Sequence, residues 1–444
     1  MTRRILRFPV VSVLIGLSML AIFNQAQAVP SFARQMNMEC SGCHTRFPKL
    51  NAFGREFKLS GYTMAAGKQI QGVDGNQKET LSVNELPPLS VMLETAYTNT
   101  GKSVPDAQNS DVELPQQLSL FLAGRISPKI GSFVQMTYTQ QDDKLTMDNA
   151  DLRYADRGSV GGKSLTYGIT LNNSPTVEDL WNSTPTWGFP FSGPDTAPTP
   201  VAATLVDGGL SQDVAGVGGY VMLDQTWYAA ASLYRSAHLG SNAPTSGSTN
   251  TLDSAAPYLR MAWQHQWGAN YLEIGAYGMW SKLMPDGIHG EYDKYKDIAA
   301  DFQYERTLNK GQLTVHGTVI RETQNLDATF AANNSSNASN KLHTARMDAS
   351  YGLKNWEWTG GLFSTTGDRD ETLYAQASVD GSATGKPDSS GWLCQVSYSP
   401  WQNVQLTAQY TGYAKFNGSR SNYDGAGRNA SDNNTLFLQA WFVW

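Results

Sequence analysis

Cys40, Cys43 and His44 form a C-x-x-C-H motif with the chemistry of a c-type haem attachment site. Two thiols at this spacing can form thioether bonds to the vinyl groups of one haem, and the adjoining imidazole then becomes the proximal iron ligand. The chain holds only 3 cysteines and 6 histidines, so chance assembly of this pentapeptide is improbable. The motif therefore predicts one covalent haem c, bound by Cys40, Cys43 and His44.

Two other chemistries use paired cysteines, a zinc site and a redox dithiol. A structural zinc site needs a second pair of ligands, and the third cysteine of the chain, Cys394, lies far along the sequence. A thioredoxin-like dithiol belongs to a βαβ unit, and the sequence around the motif lacks that pattern. Haem attachment is the interpretation that the motif favours.

The motif does not fix the ligand on the other face of the iron. Met36 and Met38 precede Cys40 so closely that they should stay on the attachment side. Met64 is far enough along the chain to reach the opposite face, and a thioether there would raise the haem potential. Met64 is therefore the first candidate for a distal ligand, with ordinary packing as its alternative role.

The motif lies close to the start of an exported chain. A short arginine-rich head, an apolar run over 8–23 and an Ala-Gln-Ala cleavage signal over 26–28 predict a signal peptide over 1–28. The mature chain then starts at Val29, and losing three arginines shifts the formal net charge from −6 to −9. An acidic chain of this kind excludes nucleic acid as a partner.

Residues 29–82 are predicted to form a small monohaem cytochrome c module. Phe47, Leu50, Phe53 and Phe57 recur at nearly helical spacing, so one apolar face can lie against a porphyrin. The same side chains could instead pack on each other or on a neighbouring domain. A segment this short can hardly build a sufficient core alone, and a covalent haem would supply the missing apolar mass.

Residues 83–444 indicate a porin-like β-barrel. Runs of about ten residues alternate with period two, as strands between lipid and water should. In Val404–Thr411 one face is apolar and the other carries only Gln and Thr, which is too polar for the core of a soluble sandwich. Similar alternation occurs in Leu118–Ile126, Val134–Thr139, Ile298–Glu305, Leu313–Ile320, Ala345–Tyr351 and Trp392–Tyr398.

The connections and the last residues support the same fold. Short connections over 127–131, 308–311, 353–355 and 400–403 alternate with long polar loops, as in outer-membrane barrels whose ends both lie in the periplasm. The chain ends on an aromatic residue, Trp444, after a final alternating segment. We predict an all-β fold, an antiparallel barrel of about sixteen strands in outer-membrane lipid. The mostly helical or irregular haem module is expected to lie in its lumen.

Strand alternation also predicts which side chains face the lumen. His316 is the histidine that alternation clearly directs inward, so it is the second candidate for the distal haem ligand. Cys394 shares the outward face with Trp392 and is expected to act as a small hydrophobe. A mixed-charge set is expected to line the lumen, as in porins: Arg125, Arg153, Arg260, Asp301, Glu305, Arg346 and Asp348.

Acidic loop residues could concentrate cations at the outer mouth, or could simply form a solvated loop surface. They are Asp106, Asp111, Glu113, Asp368, Asp370, Glu371, Asp424 and Asp432.

Two stretches of the chain carry a resemblance to a known family. The N-terminal stretch comprises Val29-Pro30-Ser31-Phe32-Ala33-Arg34-Gln35, Cys40–His44, Thr45-Arg46-Phe47-Pro48 and Phe53–Tyr62. The second stretch, over 175–189, is Pro-Thr-Val-Glu-Asp-Leu-Trp-Asn-Ser-Thr-Pro running to Trp-Gly-Phe, and it falls in the longest loop, which is expected to fold into or over the pore. Both resemble the fused monohaem cytochrome c–porin family, the outer-membrane iron oxidases of iron-oxidising bacteria. The rest of the barrel resembles the family in pattern and length.

The resemblance implies that extracellular Fe(II) reduces the haem, which passes the electron to a periplasmic c-type cytochrome or another acceptor. Cys40, Cys43 and His44 carry over by motif match, and Met64 does not. The expected function is an outer-membrane electron conduit acting as an Fe(II):cytochrome c oxidoreductase in extracellular electron transfer. Two alternatives stay open: a solute porin with a haem-bearing plug, and outward electron transfer to extracellular metals.

Overall fold

A closed barrel of sixteen antiparallel β-strands forms the main body of the protein, which confirms the predicted fold class. The predicted signal peptide over 1–28 and the loop residue Asp106 lie outside the described residues. This computed structural model describes residues 29–76, 79–105, 107–141, 143–237, 250–285 and 290–444.

The secondary structure divides into a short N-terminal segment, which holds two helices and four short strands, and the sixteen barrel strands. The α-helices are α1 (Pro30–Met36), α2 (Ala52–Leu59) and α3 (Asp327–Ala331). The strands are β1 (His44–Arg46), β2 (Lys49–Leu50), β3 (Gln69–Val73), β4 (Glu79–Asn84), β5 (Leu89–Thr100), β6 (Asp111–Ser127), β7 (Ile130–Thr139), β8 (Lys144–Val160), β9 (Lys163–Asn172), β10 (Val214–Leu223), β11 (Trp227–Ser236), β12 (Ala256–Trp267), β13 (Asn270–Leu283), β14 (Asp293–Leu308), β15 (Gly311–Asn325), β16 (Ser339–Leu353), β17 (Trp356–Gly367), β18 (Ser389–Trp401), β19 (Val404–Lys415) and β20 (Thr435–Val443).

Strands β5 to β20 follow one another around the barrel, and β20 pairs with β5 to close it. Closure matters because a free edge would leave main-chain N–H and C=O groups without partners in lipid. Side chains alternate across the wall as predicted. On β14, β15 and β16 the outward Ile298, Val319 and Met347 are each about half exposed (52%, 54% and 51%). A closed barrel with an apolar outer surface crosses the outer membrane of Gram-negative cells, and the protein is located there.

The connections differ in length between the two ends of the barrel. At one end they have two or three residues, as over 309–310 and 402–403, and β5 begins and β20 ends at that same end. At the other end all but one are long, the exception being the four-residue connection over 140–143, and the longest described one covers 173–213. The predicted short connections and long loops are confirmed, and the short-turn end is the periplasmic end.

The part of the N-terminal segment over 30–62 lies inside the barrel and is tied to its inner wall, whereas the apolar side chains of Ile70, Val73 and Leu81 on β3 and β4 are exposed. Ser31 Oγ donates to the main-chain carbonyl of Ala123 on β6 at 2.7 Å. Tyr62 OH donates to Asp151 Oδ2 on β8 at 2.7 Å, and Arg55 of α2 forms an ion pair with Glu305 of β14. These contacts reach distant parts of the wall, as expected for a module seated in the lumen. Among the described helices, none is both long and apolar enough to cross a bilayer.

The long connection over 173–213 also folds into the lumen. Val177, Leu180 and Trp181 are at most 1% exposed, although they belong to a loop. Asp179 of this loop binds Arg260 of β12 at 3.2 Å, and Arg260 Nη2 also lies 2.8 Å from Asp301 Oδ2 on β14. The expectation that this segment enters the pore is confirmed. We refer to residues 173–213 as the lumen loop.

Arg260→Met is expected to destabilise the barrel by about 3–5 kcal/mol, because Asp179 and Asp301 would lose the cation that they share while buried. The measurement is the temperature at which the purified protein loses its folded mobility on an SDS gel. Arg306→Met, at an exposed position of β14, is the matched control and should leave that temperature nearly unchanged. Equal transition temperatures for the two variants would contradict the structural role of Arg260.

Candidate functional site

The C-x-x-C-H motif lies near the periplasmic end of the lumen. A 3₁₀ turn over Cys40–Gly42 carries the first cysteine, and His44 begins the short strand β1. Gln402, in the short turn between β18 and β19, accepts a hydrogen bond from Cys40 N at 2.8 Å. The same Gln402 side chain donates to Glu39 Oε2 at 3.0 Å. The motif is thus attached to a periplasmic turn of the wall.

Cys40, Cys43 and His44 all line one cavity of about 420 Å³. Three parts of the chain meet around it: the N-terminal segment, strands β5 to β8 of the wall, and the lumen loop. The volume lies within the range of about 300–1,000 Å³ that is typical of small-molecule and cofactor sites. The apolar and aromatic side chains of its wall include Phe32, Phe47, Phe57, Phe121, Phe133 and Trp187.

The His44 imidazole is suited to bind a metal ion. Burial lowers the pKa of His44 to about 4, even though the carbonyls of Pro48 and Lys49 act in the opposite direction. The ring is therefore neutral at neutral pH, which is the form that donates a lone pair to a metal. Its Nδ1 is enclosed and makes no well-aligned hydrogen bond to a described residue.

The two motif thiols do not resemble a reactive dithiol. Burial, and then the neighbouring Cys40, raise the pKa of Cys43 to about 11. Catalytic thiols of redox enzymes have lowered pKa values, since the thiolate is the reactive form. Cys394 lies exposed on the outer face of β18, as predicted, and cannot join the motif. In the described part of the chain, no three His, Cys, Asp or Glu side chains gather as metal ligands.

These residues fit a covalently attached haem. One wall of the cavity offers two thiols and a neutral imidazole at the required spacing, and the aromatic rings around it offer apolar surfaces to a porphyrin. A Cβ at Gly54 of α2 would lie 2.1 Å from the carbonyl oxygen of Cys43, so α2 packs directly on the motif. The Asn51 side chain caps α2 by accepting from Gly54 N at 2.9 Å.

The structure places the two candidate distal ligands away from the cavity wall. Met64 packs in the apolar cluster around Phe57 but does not line the cavity. His316 faces inward as predicted, but its Nε2 lies 3.0 Å from Gln303 Oε1, and it lines a separate small cavity beside Asp348. Both assignments stay predictions.

The thioethers on the cavity wall are Met36, Met38 and Met92. Met38 packs against Gly42, where a Cβ would lie 2.5 Å from the Met38 sulfur, so this side chain stays beside the motif as expected. Met92 of β5 belongs to the barrel wall and is 5% exposed. No sequence motif marks Met92, because only strand alternation directs it inward.

Two of the acidic loop residues have a structural role. Asp370 is buried and accepts hydrogen bonds from the main-chain N–H groups of Ser336 and Leu373 at 2.8 and 2.9 Å. Asp424 is likewise buried and accepts from the N–H of Arg428 at 3.0 Å. These carboxylates organise the long loops through main-chain hydrogen bonds, and the expectation that the acidic loop residues concentrate cations at the outer mouth stays a prediction.

No family model and no curated protein matches the sequence. Among solved structures, the chain is similar to an anion-selective porin from Comamonas acidovorans, with 11% identity, a TM-score of 0.47, and coverage of 80% of this chain and 98% of that one. It is also similar to the outer-membrane channel DcaP of Acinetobacter baumannii, with 11% identity, a TM-score of 0.45, and coverage of 80% and 96%. OmpT of Vibrio cholerae is similar with 10% identity, a TM-score of 0.41, and coverage of 80% and 97%.

Gly54→Ala is expected to push α2 away from the motif and to open the cavity to water, because the added Cβ would overlap the Cys43 carbonyl. Greater solvent exposure of a bound haem lowers its reduction potential. A redox titration of the purified protein should therefore give a lower midpoint potential for this variant. Gly75→Ala, where no atom lies within 4 Å of the added Cβ, is the matched control. The same potential for both variants would show that α2 does not shape the site.

Proposed function

We propose that the protein is an outer-membrane electron conduit that oxidises extracellular Fe(II) through one covalent haem c. It passes the electron to a periplasmic c-type cytochrome or another periplasmic acceptor. The observation that carries the proposal is the position of the C-x-x-C-H motif within a membrane barrel. Both thiols and the imidazole of the motif line one apolar cavity inside the lumen.

The chain's own residues would hold and shield the haem. Cys40 and Cys43 supply the sulfur atoms for two thioether bonds, and His44, kept neutral by burial, supplies the proximal nitrogen. The aromatic side chains of the wall would shield a bound haem from water, which favours a higher reduction potential. When bound, the haem would supply a one-electron couple within the thickness of the membrane.

The position of the motif suits electron exchange with a periplasmic acceptor. Cys40 is joined to the periplasmic turn at Gln402, and the adjoining Glu39 is exposed at that mouth. The rate of electron transfer falls steeply with distance. An acceptor that docks at this mouth would therefore be well placed to receive the electron. Each Fe(II) that becomes Fe(III) outside releases one electron, and the acceptor gains one, so the exchange balances without a further co-reactant.

Addition of Fe(II) to the purified, oxidised holoprotein is expected to reduce the haem, and absorbance spectroscopy follows the change. His44→Ala removes the proximal ligand and should abolish steady electron transfer to a cytochrome acceptor while the barrel stays folded. His265→Ala, at an exposed position of β12, is the matched control and should retain full activity. An oxidised spectrum that does not change at a pH where Fe(II) is soluble would disprove iron oxidation.

The alternative is a solute porin whose haem-bearing segment is a plug, and the porin-like barrel itself favours it. The described residues nevertheless fill much of the lumen: the N-terminal segment and the lumen loop meet where Asn182 Nδ2 donates to the Pro48 carbonyl at 2.6 Å. Outward electron transfer is a further alternative. In that case the reduced protein would lose its electron readily to a chelated extracellular Fe(III).

Liposome conductance distinguishes a conduit from a porin. The intact protein is expected to pass little current, because the lumen loop packs against both the inner wall and the N-terminal segment. A variant without residues 174–210 should open steady channels and serves as the positive control for insertion. Steady channels of the intact protein, in the absence of any redox partner, would favour the solute porin.

A further inference from the structure

The lipid-facing surface of strands β13 to β16 carries a group of cations near the extracellular end, which we call the cationic patch. These strands have 14 to 16 residues, more than the roughly 9–11 that a membrane-crossing strand needs. Their upper ends therefore extend into the headgroup layer of the outer leaflet. The patch consists of Lys282, Lys294, Lys296, Arg321 and Lys341.

Strand register brings these cations together on the outer face. Lys282 lies directly opposite Lys294. Lys282 and Lys294 both lie over the ring of Tyr292, with their Nζ atoms 4.6 and 5.5 Å from its centroid. Lys296 and Lys341 lie opposite the same Thr323 of β15, two residues from Arg321, so these three cations gather on the outer face where an anionic ligand can reach them.

Carboxylates of the chain neutralise only part of the patch. Asp327 binds Lys294 at 3.2 Å, and Asp368 accepts the main-chain N–H of Lys341 at 2.9 Å. Among the described residues, none forms an ion pair with the side chains of Lys296, Arg321 or Lys341. An arginine on a lipid-facing strand is costly without a partner, and its planar fork of donors matches a phosphate group.

An apolar groove lies directly below the cationic patch. Small side chains occupy directly paired positions across the sheet: Ala276 opposite Ala300, Ala300 opposite Val319, and Val319 opposite Ala345. Larger residues flank this row, so the outer surface contains two adjoining hollows of about 630 and 610 Å³ that share Ala300, Val319 and Ala345. Arg321 and His343 form the upper edge of the first hollow.

We propose that this surface binds a phosphorylated glycolipid of the outer leaflet. Lys296, Arg321 and Lys341 hold its phosphate groups, and the groove below holds one or more of its acyl chains. Two observations point to this occupant together: cations at headgroup height that form no ion pair with a described residue, and an apolar hollow that adjoins them.

The test is native mass spectrometry of the purified holoprotein in mild detergent, titrated with diphosphorylated lipid A. We expect binding of one lipid per barrel, weaker binding of monophosphorylated lipid A, and much weaker binding of phosphatidylglycerol. The triple variant Lys296→Gln/Arg321→Gln/Lys341→Gln should bind diphosphorylated lipid A about a hundredfold more weakly, since each of the three cations near the surface contributes about 1 kcal/mol.

The matched control is Arg306→Gln/Lys310→Gln/Lys354→Gln, which removes the same charges at the periplasmic ends of the same strands and should bind normally. Ala300→Leu/Ala345→Leu fills the groove without altering charge and should also weaken binding. Folded gel mobility and the haem spectrum verify that each variant is intact. Unchanged binding by the patch variant, an equal loss in the control, or equal affinity for phosphatidylglycerol would overturn the proposal. Occupation of this face by a second copy of the chain, seen by cross-linking, would overturn it as well.

Discussion

Two buried arginines hold together the contents of the lumen. Arg153 of β8 binds Asp151 at 2.7 Å and donates to the main-chain carbonyl of Lys58 in α2 at 3.3 Å, which fastens the N-terminal segment to the wall. Arg260 of β12 binds Asp179 of the lumen loop and Asp301 of β14. A buried charge without a partner costs several kcal/mol, so each insert stabilises the wall as much as the wall stabilises the insert.

This mutual dependence explains why the cavity exists where it does. The barrel is too wide for its own side chains to fill, and the two inserts leave a gap where they meet strands β5 to β8. Phe47 stacks on Trp441 of β20 with the ring centroids 5.2 Å apart. The ring centroids of Phe133 of β7 and Trp187 of the lumen loop lie 5.9 Å apart. Wall and inserts thus contribute rings to a single apolar lining, and the motif cysteines open onto it.

Much of the fold could be predicted from the sequence because the barrel is built from local patterns. The alternation of apolar and polar residues correctly predicts that Arg260, Asp301 and His316 face inward. Turn residues indicate the short connections, as Asn309 does, whose φ of 43° is one that asparagine tolerates. The Arg260–Asp301 pair could not be predicted. Its members lie on β12 and β14 with β13 between them, so their contact depends on the register of two successive pairings.

The site could be predicted only in part, for a similar reason. The motif fixes Cys40, Cys43 and His44 within five consecutive residues. The rest of the cavity is assembled from distant segments, and Met92 and Trp187 carry no local signal of their role. The distance of Met64 along the chain suggests a distal ligand, but its contacts depend on the fold: its main-chain carbonyl accepts from Gln35 Nε2 at 2.7 Å, and no local signal indicated this contact.

Alternate residues of strands β14 to β16 have two different roles: the inward ones contact the lumen loop, and the outward ones face the membrane. On β15, Glu322 faces inward and accepts the N–H of Leu205 from the lumen loop at 2.5 Å, while the preceding Arg321 faces the membrane. On β14, Asp297 accepts the N–H of Val206 at 3.2 Å, while Lys296 faces outward. Inside, these carboxyl groups accept the hydrogen bonds that hold an insert. Outside, Lys296 and Arg321 form no ion pair with a described residue. Because a one-residue slip would exchange the two faces, the pairing that keeps the lumen loop in place also fixes the height of the cationic patch in the membrane.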